Sequence, residues 1–308
     1  MAARKIILIA DPGIDTAFAL VLALHDPQLD VLAIAPTAGN VSAHQATNNV
    51  HVVVETVDPP RLPRLGAALP IDPGHNGTKE HGPTGLGCLS LTSRGLHNAR
   101  PVDKLLVEEV RQHRGEVTIV ALGPLTALAH AMDREADIAK MLKSLVIVGG
   151  TWREPGDAGP MSEFHMHYDP VSAWRVLQCG VPMTLLPLDI TRQALFAPAE
   201  LDELIPDSTP GGSFLRKIVP FGVHATAAMC GIEGYFLKDV LGVVCAAMPQ
   251  WFHAKPMTVA VETHGELTRG MTVFDLRPNR GAPNVDVVQE VDMPSVRKYI
   301  RQVFHHPG

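Results

Sequence analysis

Residues 7–20 read ILIADPGIDTAFAL: an apolar run through Ala10, a break at Pro12-Gly13, and a second apolar run from Ile14. The first run has the β-branched character of a strand buried on both faces, the second has the spacing of a helix, and Pro-Gly punctuates them. Two carboxylates, Asp11 and Asp15, stand at the break. An Asx turn at Asp11 and a helix cap at Asp15 account for them as local structure. A ligand site at the end of the strand accounts for them equally.

Working outward, the same alternation continues. KIILIA, LDVLAIAPTAG, EVTIVALG, KSLVIVGG and VPMTLLPLD read as strands, separated by the helical patterns DTAFALVLALHD, AHQATNNVHVVVETV, LTALAHAMDR and DPVSAWRVLQCG. Unbroken apolar strands interleaved with helices predict an α/β fold, an open and mostly parallel central sheet with helices on both faces. Past residue 195 the helices PAELDELI, GSFLRKIVPFGVHATAAMC and DVLGVVCAAM follow. MTVAVETHGELTRGMTVFDLR then predicts an added C-terminal β-hairpin, before the strand NVDVVQEV and a final helix, MPSVRKYIRQVFHH. No Pro, Gly or Ser tract marks a linker, so residues 1–308 are expected to form a single domain.

With 46% hydrophobic and 19% charged residues the chain has ample material for one large core. Its net charge of −6, with no basic run, argues against a nucleic-acid partner or an anionic membrane surface. Cys88, Cys179, Cys230 and Cys245 form no C-x-x-C pair and read as reduced thiols. Arg4 and Lys5 precede an apolar stretch, but Asp11 and Asp15 interrupt it, so a signal peptide and a membrane span are not expected and a cytoplasmic location is.

Ligands of open parallel sheets bind beyond the carboxyl ends of the strands, at the point where strand order reverses. The loops to inspect are therefore ADPGIDT, PTAGN, ALGPLT, GGTWREPGDAGPMSEFHMHYDP and LDITRQ. A phosphatase of the haloacid dehalogenase type would need an Asp two residues after Asp11, where Gly13 stands. No G-x-S-x-G elbow is present, and no G-x-G-x-x-G follows a strand to open a helix; GPTGLG reads as turn chemistry in a loop.

Taken in order, IADPGIDTA, PTAGNVS, HGPTGLG, ALGPLTALA, SEFHMHYDP, LDITRQAL, LKD and GELTRGMTV resemble the nucleoside hydrolase family, from residue 4 to the C-terminal helix. The resemblance implies hydrolysis of the N-glycosidic bond of nucleosides to ribose and free base, and a calcium ion at the bottom of the pocket. The family's first strand ends in Asp-x-Asp-x-x-x-Asp-Asp, and here Ile9 and Thr16 replace two of the four acids. By that match Asp11 is the general base and touches calcium, and Thr16, the Leu122 backbone carbonyl and Asp239 complete a depleted metal site. Asp15, Asn40, His81, Asp157, Glu163 and His165 are implied substrate contacts. His165 stands for an Asn, and Lys238 for a His near the leaving base in some members, which makes Lys238 a candidate catalytic group. Family likeness also implies a homodimer or homotetramer, with a nucleoside or ribose as the small-molecule partner.

The chemistry explains the cluster. Breaking the bond develops positive charge on the ribose ring, which carboxylates stabilise while one of them takes a proton from water. Calcium takes six to eight oxygens and its affinity follows ligand charge, so a hydroxyl at Thr16 implies weak binding, or no metal if the Lys238 ammonium stands in the cation's place. The loss of acids at 9 and 16 also leaves open a catalytically impaired relative that binds nucleoside or ribose without turnover. Base preference is expected to reside near residues 74–90 and 221–236, where His224, Tyr235 and Phe236 suit either base stacking or helix packing.

Overall fold

The computed structural model describes residues 3–71, 77–93 and 99–306. Its strands are β1 (Arg4–Ala10), β2 (Leu29–Pro36), β3 (Arg64–Ala67), β4 (Arg100–Pro101), β5 (Thr118–Leu122), β6 (Ser144–Val148), β7 (Met183–Leu186), β8 (Leu195–Phe196), β9 (Tyr235–Phe236), β10 (Phe252–Val261), β11 (Thr272–Asp275) and β12 (Val285–Val291). Ten of them form one sheet in the order β11-β10-β12-β7-β6-β5-β1-β2-β3-β4, while β8 and β9 pair as a separate ribbon. The pairings are parallel from β12 through β4, and antiparallel where β10 meets β11 and β12.

The expected hairpin, β10 and β11, is thus the antiparallel edge of the main sheet rather than an appendage. β12 inserts between it and β7. Strand order reverses at β1, whose neighbours are β2 on one side and β5 on the other. Loops on both sides of that line diverge and leave a crevice.

The helices are α1 (Ile14–His25), α2 (Ala43–Val57), α3 (Thr78–His81), α4 (Val102–Gln112), α5 (Thr126–Arg134), α6 (Ile138–Met141), α7 (Phe164–Tyr168), α8 (Pro170–Leu177), α9 (Leu188–Thr191), α10 (Pro198–Leu204), α11 (Pro210–Cys230), α12 (Lys238–Ala247) and α13 (Met293–His305). Ile6, Leu8 and Ala10 of β1 join a core with α1, α11, α12 and α13, and Ile7 and Ile9 join a second core with α4, α5 and α8. α1 is buried on nearly every face because it lies between the sheet and other helices, which is why its sequence lacks a polar stripe. α4 escaped the sequence reading although Val102, Leu105, Leu106 and Val110 carry helical spacing; β3 and β4 are too short to leave a signal.

The local explanations for the acids do not hold. Gly13, not Asp15, precedes α1, and the turn at Asp11 closes through Gly13 N–H on the Asp11 carbonyl, at 2.8 Å, leaving the side chain for other work. Asp239, which as a local feature would read as a cap of the helix that follows it, instead lies inside the first turn of α12, and Leu237 precedes that helix. Among the described residues no helix is long and apolar enough to cross a membrane. The four cysteines are free thiols, with Cys88 and Cys230 exposed and Cys245 buried.

Ile9 faces the second core and is wholly buried, so its replacement of a family acid belongs to packing. Ile9→Ala is expected to lower the unfolding free energy by about 2–5 kcal/mol through lost burial and the cavity left behind. Urea denaturation checks this; a change below about 1 kcal/mol would place Ile9 outside a packed core.

Candidate active site

At the carboxyl end of β1 the chain turns into α1, bringing Asp11, Asp15 and Thr16 together. The loop after β2 adds Asn40, the N-terminus of α7 adds Glu163 and His165, α3 adds Glu80 and His81, and the first turn of α12 adds Lys238 and Asp239. With Asp157, all of these residues except Asp11 border a cavity of about 330 Å3, the lower range for a small-molecule site. Asp11 lies wholly buried behind two of the cavity's walls, Thr16 and Asn40, to which it is hydrogen bonded.

Asp11 is held from several directions. The Asn40 N–H donates to both carboxylate oxygens, each at 2.8 Å, and the Asn40 side-chain amide donates to the Asp11 carbonyl at 3.1 Å. Two glycines let backbone approach: a Cβ on Gly39 would lie 2.1 Å from Asp11 Oδ2, and one on Gly123 would lie 2.6 Å from Asp11 Cβ. Burial pushes the Asp11 carboxyl up to about 7, with nearby His165 and the Asn40 N–H acting in the opposite direction.

The Thr16 hydroxyl lies 2.7 Å from the Asp11 carbonyl oxygen and 2.6 Å from Asp239 Oδ2. It has one hydrogen, and a carbonyl can only accept. Both contacts are complete when Asp239 carries a proton and donates to Thr16, a state favoured by burial, which raises the Asp239 carboxyl. Asp15 Oδ2 accepts from Asp239 N–H at 3.0 Å, whereas the buried Oδ1 has no partner. Burial first and Asp239 second hold the Asp15 carboxyl well above its usual range.

Glu163 caps α7. Its carboxylate accepts from the N–H groups of Gly150 at 2.8 Å, His165 at 3.0 Å and Met166 at 3.1 Å. His165 donates Nδ1–H to the Val148 carbonyl at 2.9 Å. Burial alone would lower its titration, but Glu163, Asp239 and Asp11 outweigh that and raise it. His81 is also buried, and its Nδ1 accepts the Ile14 N–H at 3.2 Å, which leaves the proton on Nε2. Burial pushes this imidazole down to about 4, so it is neutral.

Lys238 does not reach the place between Asp11 and Asp239. Its Nζ lies 3.4 Å from Asp157 and 3.8 Å from Glu80, an anchorage that corrects the idea of an ammonium replacing the metal. Burial opposes its charge, but Glu80, Asp157, Asp15 and Glu163 more than compensate and keep it protonated. Glu80 was missed in the sequence, although it directly precedes His81. Of the candidates for base stacking, Tyr235 is buried with its hydroxyl 3.2 Å from His81 Nδ1, His224 is exposed, and neither these nor Phe236 line the cavity. Phe164 and Met229 do. Residues 74–76 of the expected base-contacting loop lie outside the described residues.

These bonds leave little for a calcium ion. Only Asp11 and Asp239 remain of the expected carboxylate ligands; one shares both oxygens with Asn40 N–H, the other is tied to Thr16, and the Leu122 carbonyl faces Asp11 N–H at 3.4 Å. The imidazole of His165 interacts electrostatically with both acids. Among the described residues no group of three or more His, Cys, Asp or Glu is arranged to hold a metal ion. This donor set does not fit a hard cation that prefers six to eight oxygens with several carboxylates.

Residues 6–298 match the family described as inosine-uridine preferring nucleoside hydrolase. The chain belongs to that family. It is 30% identical to the probable uridine nucleosidase 2 of Oryza sativa subsp. japonica, over 97% of this chain and 93% of the relative. It is 31% identical to the non-specific ribonucleoside hydrolase RihC of Escherichia coli, over 97% of each. A solved plant nucleoside hydrolase superposes with a TM-score of 0.89 at 27% identity, covering 99% of both chains. The enzyme is accordingly a hydrolase of the nucleoside N-glycosidic bond, and its relatives do not favour a binder without turnover.

Because Gly39 packs on the Asp11 carboxylate, Gly39→Ala is expected to displace that group and reduce kcat about a hundredfold. A reducing-sugar assay measures it; near-normal turnover would show that the position of Asp11 is unimportant.

Proposed function

We propose that the cavity binds a ribonucleoside with its ribose against Asp15, Asn40, Glu163 and His165, its base toward Lys238, and that Asp11 is the general base for the attacking water. The observation that carries this reading is the buried Asp15 Oδ1, an acceptor without a partner at the edge of the cavity. A buried acceptor left unsatisfied costs about 1–3 kcal/mol, which a ribose hydroxyl would recover.

Each residue then has a physical task. Positive charge growing on the ribose ring is stabilised by the surrounding carboxylates, which are aimed before the reaction starts and so need no reorganisation. Asp11 shares a single N–H between its two oxygens and keeps lone pairs with which to accept a proton from water. The Lys238 ammonium, fixed by Glu80 and Asp157, offsets negative charge on the departing base as a hydrogen-bond donor. His81 offers a neutral Nε2–H from the wall.

The names of the relatives support uridine as a substrate, alongside other ribonucleosides. Family likeness further supports a homodimer or homotetramer, with the freed base and ribose entering purine and pyrimidine salvage, and the acids that interrupt the N-terminal apolar stretch support a cytoplasmic location. The decisive experiment follows ribose release from uridine. The parent is expected to turn over, and Asp11→Asn to lose at least about a hundredfold in kcat, the scale on which a general base contributes. Unchanged turnover in Asp11→Asn would remove Asp11 from that role.

A further inference from the structure

The carboxylate cluster invites a cation, yet the bonds within it are already made. Thr16 Oγ1 bridges the Asp11 carbonyl and Asp239 Oδ2 at 2.7 and 2.6 Å, so the side chain at the expected ligand position joins the two sides of the cluster directly. All three residues are buried, Asp11 wholly so. Calcium at this point would have to draw oxygens to 2.3–2.6 Å around itself. It would do so with two carboxylates in place of the expected three, and against a bridge that ties one of them to a neutral hydroxyl.

Two further hydrogen bonds fix the residues beside this bridge. The His165 ring is fixed by its Nδ1–H on the Val148 carbonyl, presenting an imidazole where the resemblance calls for an amide oxygen. Asp239 N–H is held by Asp15 Oδ2 at 3.0 Å, which fixes the start of α12 against α1 and commits one oxygen of that acid to the protein.

We infer that this enzyme hydrolyses nucleosides without a divalent cation, the Thr16 bridge holding Asp11 and Asp239 in the arrangement that calcium imposes elsewhere in the family. The inference rests on the hydrolase reading of the same cavity. It makes Thr16 a positioning residue: its hydroxyl joins the Asp11 backbone to the Asp239 carboxyl.

The test uses the full chain, dialysed against chelator, with calcium chloride as the probe. Calorimetric titration is expected to show no calcium binding into the millimolar range, and ribose release from uridine to persist in excess EDTA within about twofold. Restoring the family's residue types in Thr16→Asp/His165→Asn is expected to tighten calcium binding at least tenfold over the parent. Thr16→Ser, which keeps the hydroxyl, is expected to show the parent's calcium titration, with no binding into the millimolar range. Micromolar calcium binding by the parent overturns the inference, as does a tenfold loss of its activity in EDTA that calcium restores. Titration of the parent decides the matter even where a variant fails to fold. Absence of ribose release in both EDTA and calcium overturns the hydrolase reading instead, and the titration still judges the metal inference alone.

Discussion

The immobilisation of Asp11 is the constraint on which the rest of the site depends. A carboxylate at the end of a central strand is deprived of water, and burial pushes it up to about 7. It persists there because the loop after β2 turns a backbone N–H onto both of its oxygens, and because Gly39 and Gly123 leave no side chain in the way. Those loops can converge only because strand order reverses at β1, which places the ends of β1, β2 and β5 side by side. The topology therefore acts on chemistry through a single buried side chain.

Around it the charges are balanced by the protein itself. Asp15, Asp239 and Glu163 all have their carboxyls raised by burial, and closely spaced acids oppose one another's ionisation. Backbone N–H groups hold Glu163, a hydroxyl holds Asp239, and Lys238 lies between Glu80 and Asp157 farther out. Positive charge is thus separated into two places. His165 sits near Asp11 and Asp239, where the ribose is proposed to bind, and Lys238 sits where the base is proposed to leave. That division suits a reaction in which opposite charges develop at the two ends of the breaking bond.

Much of this was legible in ILIADPGIDTAFAL and its neighbours, since apolar runs and Pro-Gly punctuation report directly on burial and chain reversal. The parallel sheet, most of its helices and the convergence of Asp11, Asp15, Asn40, Glu163 and Asp239 follow from local pattern together with family resemblance. What the sequence concealed depends on distant contacts. Ile9 looked like a lost acid, but it packs into the second core. Lys238 looked free to reach the metal position, but it is anchored by Glu80, whose relevance appears only once α3 is folded against α12. Thr16 shows its role only when Asp239, more than two hundred residues later, is brought to 2.6 Å from its hydroxyl. α4 is a different case, an amphipathic helix whose apolar spacing was present and overlooked.

A high-resolution crystal structure with ribose bound, grown in millimolar calcium, distinguishes a hydroxyl bridge from a metal site. Ribose hydroxyls are expected within hydrogen-bond distance of Asp15 Oδ1, with Thr16 Oγ1 still bridging the Asp11 carbonyl and Asp239. A metal ion among Asp11, Asp239 and the Leu122 carbonyl, with oxygens at about 2.3–2.6 Å and the Thr16 bridge broken, would contradict that expectation.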